Sequence, residues 1–394
     1  MERGEVQTAI RWCRAEGRIP VLYVAFRPAP PGVVWTRRSP SKILKTGPGA
    51  GRSSTRSARK SSAFAEQHAT ILPGAASGPN RVMIKIPGYQ AGVELNEDAR
   101  IDTSQVEDRR GSGGGGGRAG IPLPSGKGGW IGLVVALLVA VAGGGAGLTQ
   151  ITGGGDEQGD NTALEQKCAT EQALDQLDCR NTLYVNSIQA YWQKALPETF
   201  GKPYQEADTV IFSQAVSTGC GSADSGVGPF YCPADDHVYI DLTFYEQLAG
   251  QLGAPGEFAQ PYVLAHEYGH HVQDLLGTEA QMRRQQERDP GNANQLSVML
   301  ELQADCYAGA WAKNATGTTD AGGQKIFKSI SQQDIEEGLD TAAAIGDDTL
   351  QKKSGGRIDE SQFTHGTSAQ RQEWFGRGHD TGDPKSCDTF GNAL

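Results

Sequence analysis

The residues best suited to chemistry are His266, Glu267 and His270, which form the pattern His-Glu-x-x-His. Residues four apart on a helix share one face, so both imidazoles can bind one metal ion. Glu267 lies beside them and can reach a water molecule near that ion. Two neutral nitrogen ligands with an adjacent carboxylate base are the arrangement of zinc metalloproteases. The alternative is a surface helix that carries two histidines by chance.

The residues around this motif predict a helix that presents it. Apolar residues lead into the motif from Phe258 and continue to Leu276, and Gly277 suits the position after a last turn. Gly269, a small residue between the two histidines, would let another segment approach the metal closely. His271 is out of register with the ligands, so we expect it to be a supporting or surface group.

A third protein ligand is needed to complete a zinc site. The segment 295–313 has the apolar spacing of a helix, and Glu301 and Asp305 lie four apart on it. Two acids on a buried helix face are costly unless both have partners. Zinc for Glu301 and a ligand-histidine N–H for Asp305 would supply those partners. Two solvated acids on an amphipathic helix remain the alternative.

The motif His-Glu-x-Gly-His-His-Val-Gln, followed by Glu-x-x-x-Asp, resembles the bacterial putative neutral zinc metallopeptidase family. The resemblance covers about residues 183–390, and a more distant one extends to the membrane-bound gluzincin peptidases. It implies a zincin-like fold with one Zn²⁺ ion. It also implies that His266, His270 and Glu301 bind the zinc and that Glu267 is the catalytic base.

A second stretch near the C-terminus resembles the same membrane gluzincins. His365 precedes the last predicted helix, and Arg371 follows it by six residues. This spacing resembles their His-Pro…Arg stretch, in which the histidine faces the zinc cleft, although Gly366 replaces the proline here. The resemblance implies that His365 donates a hydrogen bond to the developing oxyanion. Tyr307 and His271 are the rival donors, and a histidine that only caps or packs is the alternative.

The first 82 residues differ in character from the rest. They carry 14 Lys/Arg and 4 Asp/Glu, whereas the remainder carries 22 and 42, a net charge of −20. Such a break indicates a disordered basic extension, 1–82, that either binds nucleic acid or an anionic membrane or is not translated. We favour a true start near Met83, so no nucleic-acid partner is expected.

The chain then predicts a membrane anchor. Residues 83–129 form a flexible, Gly-rich segment, and 130–148 is an uncharged apolar run that nearly matches a bilayer core. Basic residues precede this transmembrane helix and acidic ones follow, so the N-terminus is expected in the cytoplasm. After a linker, 149–162, the catalytic domain 163–394 is expected outside. A cleaved signal peptide is the alternative.

The folded part contains an even number of cysteines, which beyond a membrane anchor indicates disulfides. Six cysteines allow 15 connectivities. Local spacing favours Cys168–Cys179 and Cys220–Cys232, which leaves Cys306–Cys387.

The remaining patterns predict an α+β fold, mostly helical with a small sheet. Extended segments are predicted at 209–216, 230–233 and 237–242, and further helices at 183–196 and 331–350. In zincin-like enzymes the strand before the motif helix is the edge on which an extended peptide lies, so it could bind substrate by strand addition. A plain core hairpin is equally compatible with the pattern.

These observations predict a membrane-anchored, extracytoplasmic zinc endopeptidase that acts on protein or peptide substrates. The alternative is a zinc-stabilised binding or assembly module without turnover, which an open fourth coordination position would exclude. A third hypothesis, a binder of anionic polymers, depends on residues 1–82. Neither the substrate nor the oligomeric state follows from the sequence.

Overall fold

The chain adopts a mostly helical α+β fold with small sheets, as the sequence predicts. The computed structural model describes residues 70–71, 84–85, 93–110, 161–391 and 393–394. The predicted membrane span at 130–148 and nearly all of the extension 1–82 therefore lie outside the described residues. Within the described ranges, no helix is both long and apolar enough to cross a membrane.

The helices of the described ranges are α1 (Thr162–Cys168), α2 (Leu177–Phe200), α3 (Phe244–Gly250), α4 (Ala259–Leu276), α5 (Thr278–Arg288), α6 (Ala293–Asn314), α7 (Gln332–Ala344), α8 (Asp347–Lys353) and α9 (Ser368–Thr381). Local chemistry sets several of their ends. Ser331 and Asp334 form a capping box before α7, as Thr367 and Gln370 do before α9. The motif helix α4 ends at Gly277, whose left-handed φ of 77° confirms the predicted stop.

The strands are β1 (Thr70–Ile71), β2 (Ile84–Lys85), β3 (Glu94–Leu95), β4 (Val106–Asp108), β5 (Asp208–Phe212), β6 (Ala215–Thr218), β7 (Gly221–Asp224), β8 (Phe230–Cys232), β9 (His237–Asp241) and β10 (Phe327–Ser329). The main sheet has the order β4-β5-β9-β8, in which only β8 is antiparallel to its neighbour. Three antiparallel pairs, β1–β2, β3–β10 and β6–β7, complete the set.

The position of β8 corrects one expectation about the sheet. The strand directly before the motif helix, β9, lies between β5 and β8 and is not an edge strand. Its residues are almost continuously buried, as suits an interior strand. The edge strands are β4 and β8, and β8 also lines the cleft described below through Phe230 and Tyr231.

Residues 93–110 belong to the fold, which corrects the expectation of a flexible segment for this part of 83–129. β4 pairs in parallel with β5, and Val106 is buried beneath the pairing. The Asn161 amide donates to the Val106 carbonyl at 2.6 Å, while its side-chain oxygen accepts from the Asp108 N–H at 2.9 Å. The start of α1 is therefore tied directly to β4.

An ion-pair cluster holds the same junction. Arg110 contacts Asp108 and Asp178, each at 2.6 Å, and Lys167 contacts Asp178 at the same distance. Although burial alone would raise the pKa of both carboxyls, their bonds to these cations lower it. These ion pairs thus hold the residues just before 111 next to the residues just after 160.

Three predicted elements differ in their ends, each for a local reason. Helix α2 runs through Pro197, an exposed residue whose lost hydrogen bond lies on the solvent side. The extended segment at 209–216 breaks at Gln214, which has a φ of 66°. The helix expected at 331–350 divides at Gly346, whose extended backbone (φ −69°, ψ 144°) separates α7 from α8.

Helices α4, α6 and α9 pack closely because a glycine on one helix faces the backbone of the next. Helices α6 and α9 cross where a Cβ on Gly309 would lie 2.0 Å from the Phe375 oxygen. On the motif helix, a Cβ at Gly269 would lie 3.0 Å from Ala304 Cα of α6. The close approach of a second segment that the sequence predicts at Gly269 is therefore confirmed, and that segment is α6.

Candidate metal centre

Helices α4 and α6 bring the predicted ligand atoms together. His266 Nε2 lies 3.2 Å from His270 Nε2 and 3.2 Å from Glu301 Oε2, and His270 Nε2 lies 3.6 Å from Glu301 Oε1. Four ligands at about 2.0–2.1 Å around tetrahedral zinc are roughly 3.3–3.4 Å from one another. Each nitrogen therefore lies close to this separation from the other nitrogen and from one Glu301 oxygen, as three ligands of a tetrahedral zinc site require.

The hydrogen bonds behind the ligands indicate that a cation belongs among them. His266 Nδ1 lies 2.8 Å from Asp305 Oδ1, and His270 Nδ1 lies 2.9 Å from Gln273 Oε1. Both oxygens only accept, so each Nδ1 carries the hydrogen and each Nε2 presents a lone pair. The two Nε2 atoms and the Glu301 carboxylate then converge on one point, where a metal ion would replace any proton held between them. The nitrogen and oxygen ligands suit zinc.

Asp305 has the supporting position that the sequence predicts for it. Besides His266, it accepts a hydrogen bond from the Tyr262 hydroxyl at 2.6 Å. Arg371 holds both of its oxygens, with Nε to Oδ2 at 2.7 Å and Nη2 to Oδ1 at 2.9 Å. Asp305 and Arg371 are almost completely buried. The arginine therefore compensates the charge of a carboxylate that orients a metal ligand.

The charges at this centre favour a bound cation. Burial alone would lower the pKa of His266, but the Asp305 and Glu301 carboxylates raise it to about 10. Burial raises the pKa of Asp305 by itself, yet Arg371 and His266 outweigh burial and lower it to about 2. The pKa of Glu301 is also lowered, against burial, by the surrounding histidines. Both carboxylates are thus ionised at neutral pH, and the negative charge that raises the pKa of His266 also attracts a metal ion.

Glu267 faces the same cleft as the ligands. It is buried, and burial raises the pKa of its carboxyl above the usual range while His266 and His270 oppose the rise. A general base works best when its pKa approaches the working pH, so this shift suits proton transfer.

The ligands lie in the wall of a large cleft of about 1180 Å³. Strand β8, the β6–β7 hairpin and helix α5 line the same cleft. An open space of this size beside the metal ligands can admit a segment of another chain, in contrast to a closed structural zinc site.

His365 lines this cleft together with Glu267 and Glu301. Its Nδ1 lies 3.0 Å from Asp347 Oδ1. The other oxygen of Asp347 accepts the backbone N–H groups of residues 364, 365 and 366 at 2.7–3.0 Å. Burial alone would lower the pKa of His365, but Glu301 and Asp347 raise it overall. Asp347 thus leaves Nε2 as the nitrogen that can donate into the cleft.

We expect His365→Ala to lower turnover by about 10²–10³-fold, the usual cost of one oxyanion donor. Zinc content and substrate affinity should change little, because His365 is not among the three ligands. Steady-state kinetics with zinc analysis measure both. His379→Ala, which removes a histidine from α9 outside the cleft lining, is the matched control. Unchanged turnover in His365→Ala would leave this residue with a packing role.

The rival donors His271 and Tyr307 do not line the cleft. His271 is fully buried, and its nitrogens lie 3.1 Å from the Tyr231 hydroxyl and 2.7 Å from the Gln205 carbonyl. It supports the motif helix against the sheet side and is not a surface residue. Tyr307 packs edge-on against Trp192 in the core.

The partners that hold the site in place are mostly not recognisable in the sequence. The sequence marks Arg371 only by its spacing from His365, and it assigns no role to Tyr262 or Asp347. One signal was present for Gln273, which follows His270 by three residues and so shares its helix face. The partners of Arg371 and Asp347 lie far away along the chain, where sequence spacing is uninformative.

Comparisons with known proteins agree with this geometry. A family model described as "putative neutral zinc metallopeptidase" matches residues 96–390. "Uncharacterized protein YpfJ" of Escherichia coli K12 is 44% identical over 301 residues, 75% of this chain and 98% of that protein. "Uncharacterized protein Rv2575" of Mycobacterium tuberculosis H37Rv is 46% identical over 219 residues, 55% of this chain and 72% of that protein. No solved structure matches the chain. The matched residues include both ligand-bearing helices, α4 and α6. The chain therefore belongs to the putative neutral zinc metallopeptidase family.

Proposed function

We propose that this protein is a zinc-dependent endopeptidase with a zincin-like catalytic domain. The observation that carries the proposal is the convergence of His266, His270 and Glu301 beside Glu267 in the wall of an open cleft. A zinc site that only stabilises a fold has four protein ligands, whereas a catalytic site keeps one position for water or substrate. The three ligands that converge here correspond to the catalytic pattern.

The residues of the chain have separate parts in the proposed reaction. Zinc held by His266, His270 and Glu301 would supply Lewis acidity toward a water molecule and the substrate carbonyl. Glu267 accepts the proton of the attacking water and then delivers it to the leaving amine. His365 donates from Nε2 to the oxygen on which negative charge develops. Asp305 and Gln273 keep the two ligand imidazoles oriented.

The proposed substrate is a peptide segment in extended conformation. β8 is one of the two edge strands of the main sheet and lines the cleft, so its outer backbone groups can pair with such a segment. Phe230 of β8 and the β6–β7 hairpin line the same cleft and would contact the side chains of the peptide.

A peptide library tests the function. The full chain should cleave library members within their sequence, a chelator should abolish cleavage, and added zinc should restore it. The experiment uses the full chain, and not residues 163–394 alone, because β4 contributes to the main sheet. Stoichiometric zinc without cleavage of any peptide would favour the alternative, a zinc-stabilised binding module.

We propose an extracytoplasmic location on the basis of the cysteines. Cys168–Cys179, Cys220–Cys232 and Cys306–Cys387 are all at disulfide distance, which confirms the predicted pairing. Stable disulfides are typical of proteins outside the reducing cytoplasm. After unfolding without reductant, none of these cysteines should react with a thiol reagent, as measured by intact mass. Labelling of all six would remove the basis for this location.

The membrane anchor at 130–148 stays a prediction, and the fold constrains it. β4 and Arg110 contact β5 and Asp178 directly. A single crossing between residues 110 and 161 would put these partners on opposite sides of the membrane. The single-pass arrangement and the β4 pairing therefore exclude each other within one chain.

Thiol labelling distinguishes these two arrangements. Two variants are made in a Cys13→Ser background. Ser104→Cys places an exposed thiol before the apolar run, and Lys202→Cys places one after it. If β4 is paired, a membrane-impermeant reagent should label both positions equally in intact cells. Protection of Ser104→Cys alone would support the single crossing, with the N-terminal segment in the cytoplasm.

A further inference from the structure

A chain of hydrogen bonds leads from the ligand His270 to the C-terminal part of the fold. Beyond the contact of His270 Nδ1 with Gln273 Oε1, Gln273 Nε2 donates to the Leu300 carbonyl at 2.7 Å and to Gln303 Oε1 at 3.1 Å. Gln303 Nε2 in turn donates to the Cys387 carbonyl at 2.9 Å. Both glutamines are buried, so water does not compete freely for these groups.

Two backbone carbonyls fix the direction of this chain. A carbonyl can only accept, so the amide nitrogens of Gln303 and Gln273 must face Cys387 and Leu300. Gln303 Oε1 is then left to accept from Gln273, and Gln273 Oε1 is left to accept from His270. His270 must therefore carry its hydrogen on Nδ1, which leaves the Nε2 lone pair for the metal. The tautomer of a metal ligand is set by groups two and three hydrogen bonds away.

The last acceptor in this series of hydrogen bonds, Cys387, belongs to a disulfide. Cys387, whose carbonyl closes the chain, is bonded to Cys306 across a sequence separation of 81 residues. Cys306 directly follows Asp305, which orients the other ligand histidine. The disulfide thus holds Cys387 against α6, which carries Gln303 and Asp305.

We propose that Gln273 and Gln303 are positioning residues for the zinc site, which hold His270 in its ligating tautomer, and that the Cys306–Cys387 disulfide fixes the end of this relay. His266 is oriented by a charged carboxylate, whereas His270 is oriented by a neutral amide pair. The inference rests on zinc binding at His266, His270 and Glu301 and not on peptidase activity. Zinc binding by the wild type tests that premise separately.

Zinc affinity, measured by competition with a chelator, is the first test. Gln273→Met keeps the length of the side chain but cannot accept from His270, so we expect about 10–100-fold weaker zinc binding. Gln189→Met is the matched control, because Gln189 is a fully buried glutamine that accepts from Tyr204 and Ala207 in another region. It should cost stability without weakening zinc binding. Affinity within twofold of the wild type in Gln273→Met would overturn the proposal.

Coupling between the glutamines separates a relay from two independent packing roles. Gln303→Met alone should weaken zinc binding. In the Gln273→Met background it should cause little further loss of affinity, since the relay is already interrupted. Additive losses of affinity would mean that the two glutamines act separately and would overturn the relay.

The disulfide gives a further arm of the test. The Cys306→Ala/Cys387→Ala double variant should weaken zinc binding in the wild type and much less in the Gln303→Met background. The Cys168→Ala/Cys179→Ala variant, which removes a disulfide between α1 and α2, should leave zinc binding unchanged. Equal loss of affinity in both backgrounds would show that the disulfide does not act through Gln303.

The tautomer can also be observed without activity or zinc. In ¹⁵N-histidine-labelled, zinc-free protein at a pH where His270 is neutral, long-range ¹H–¹⁵N spectra should show hydrogen on Nδ1 of His270. In Gln303→Met the Leu300 carbonyl still orients the Gln273 amide, so the population with hydrogen on Nδ1 should fall only in part, by the share that the lost bond between the two glutamines contributes. This measurement still decides the proposal if Gln273→Met does not fold. A wild-type His270 with hydrogen on Nε2 would refute it.

Discussion

Glu267→Gln should retain zinc and fold while losing about 10²–10⁴-fold in turnover, the usual contribution of a positioned general base. The substitution keeps the size of the side chain and leaves His266, His270 and Glu301 unchanged, so the ligand set is intact. An amide cannot accept the proton of the attacking water at neutral pH. The loss should therefore appear in kcat, with KM nearly unchanged.

The measurement combines zinc analysis with kinetics on a peptide that the wild type cleaves. Glu257→Gln is the matched control, since it neutralises an exposed glutamate just before the same helix. That variant should behave as the wild type. Full activity in Glu267→Gln would assign the base to another residue, and loss of zinc would show that Glu267 supports the ligands and not the proton transfer.

The helical part of this site could be predicted from the sequence because helices are specified locally. His266 and His270 share a face through spacing alone, and Gly277 ends their helix through its left-handed φ of 77°. Glu301 and Asp305 could be placed together for the same reason. The pairing of short-range cysteines likewise follows from their separation along the chain.

The contacts that hold these helices together could not be predicted in the same way. β4 is three residues long and pairs with a strand about a hundred residues away, so its own pattern carries little information. A buried Arg371 is unusual enough to require an acidic partner, but the sequence does not say that Asp305 is that partner. The glutamine relay is less visible still, because buried amides resemble surface amides in a sequence.

Glu301→Ala should remove nearly all zinc affinity, because it deletes one of three ligands. Asp305→Ala should weaken zinc binding only about 10–100-fold, as expected for a residue that orients a ligand. The free energy of unfolding should fall more in Asp305→Ala than in Glu301→Ala. Asp305→Ala leaves the buried Arg371 without its partner, which typically costs about 3–5 kcal/mol in the free energy of unfolding. Glu301→Ala leaves no buried arginine without its partner, so the free energy of unfolding of its zinc-free form should change less.

Zinc binding at a fixed free zinc concentration and urea unfolding of the zinc-free proteins measure the two effects. Equal zinc content in wild type and Glu301→Ala would remove Glu301 from the ligand set. The double variant Asp305→Leu/Arg371→Met separates the two roles of Asp305. Replacing both buried charges by apolar groups should recover most of the lost stability. Zinc affinity should stay low, because His266 Nδ1 still lacks its acceptor. If zinc affinity recovered together with stability, Asp305 would act on the metal only by keeping Arg371 compensated.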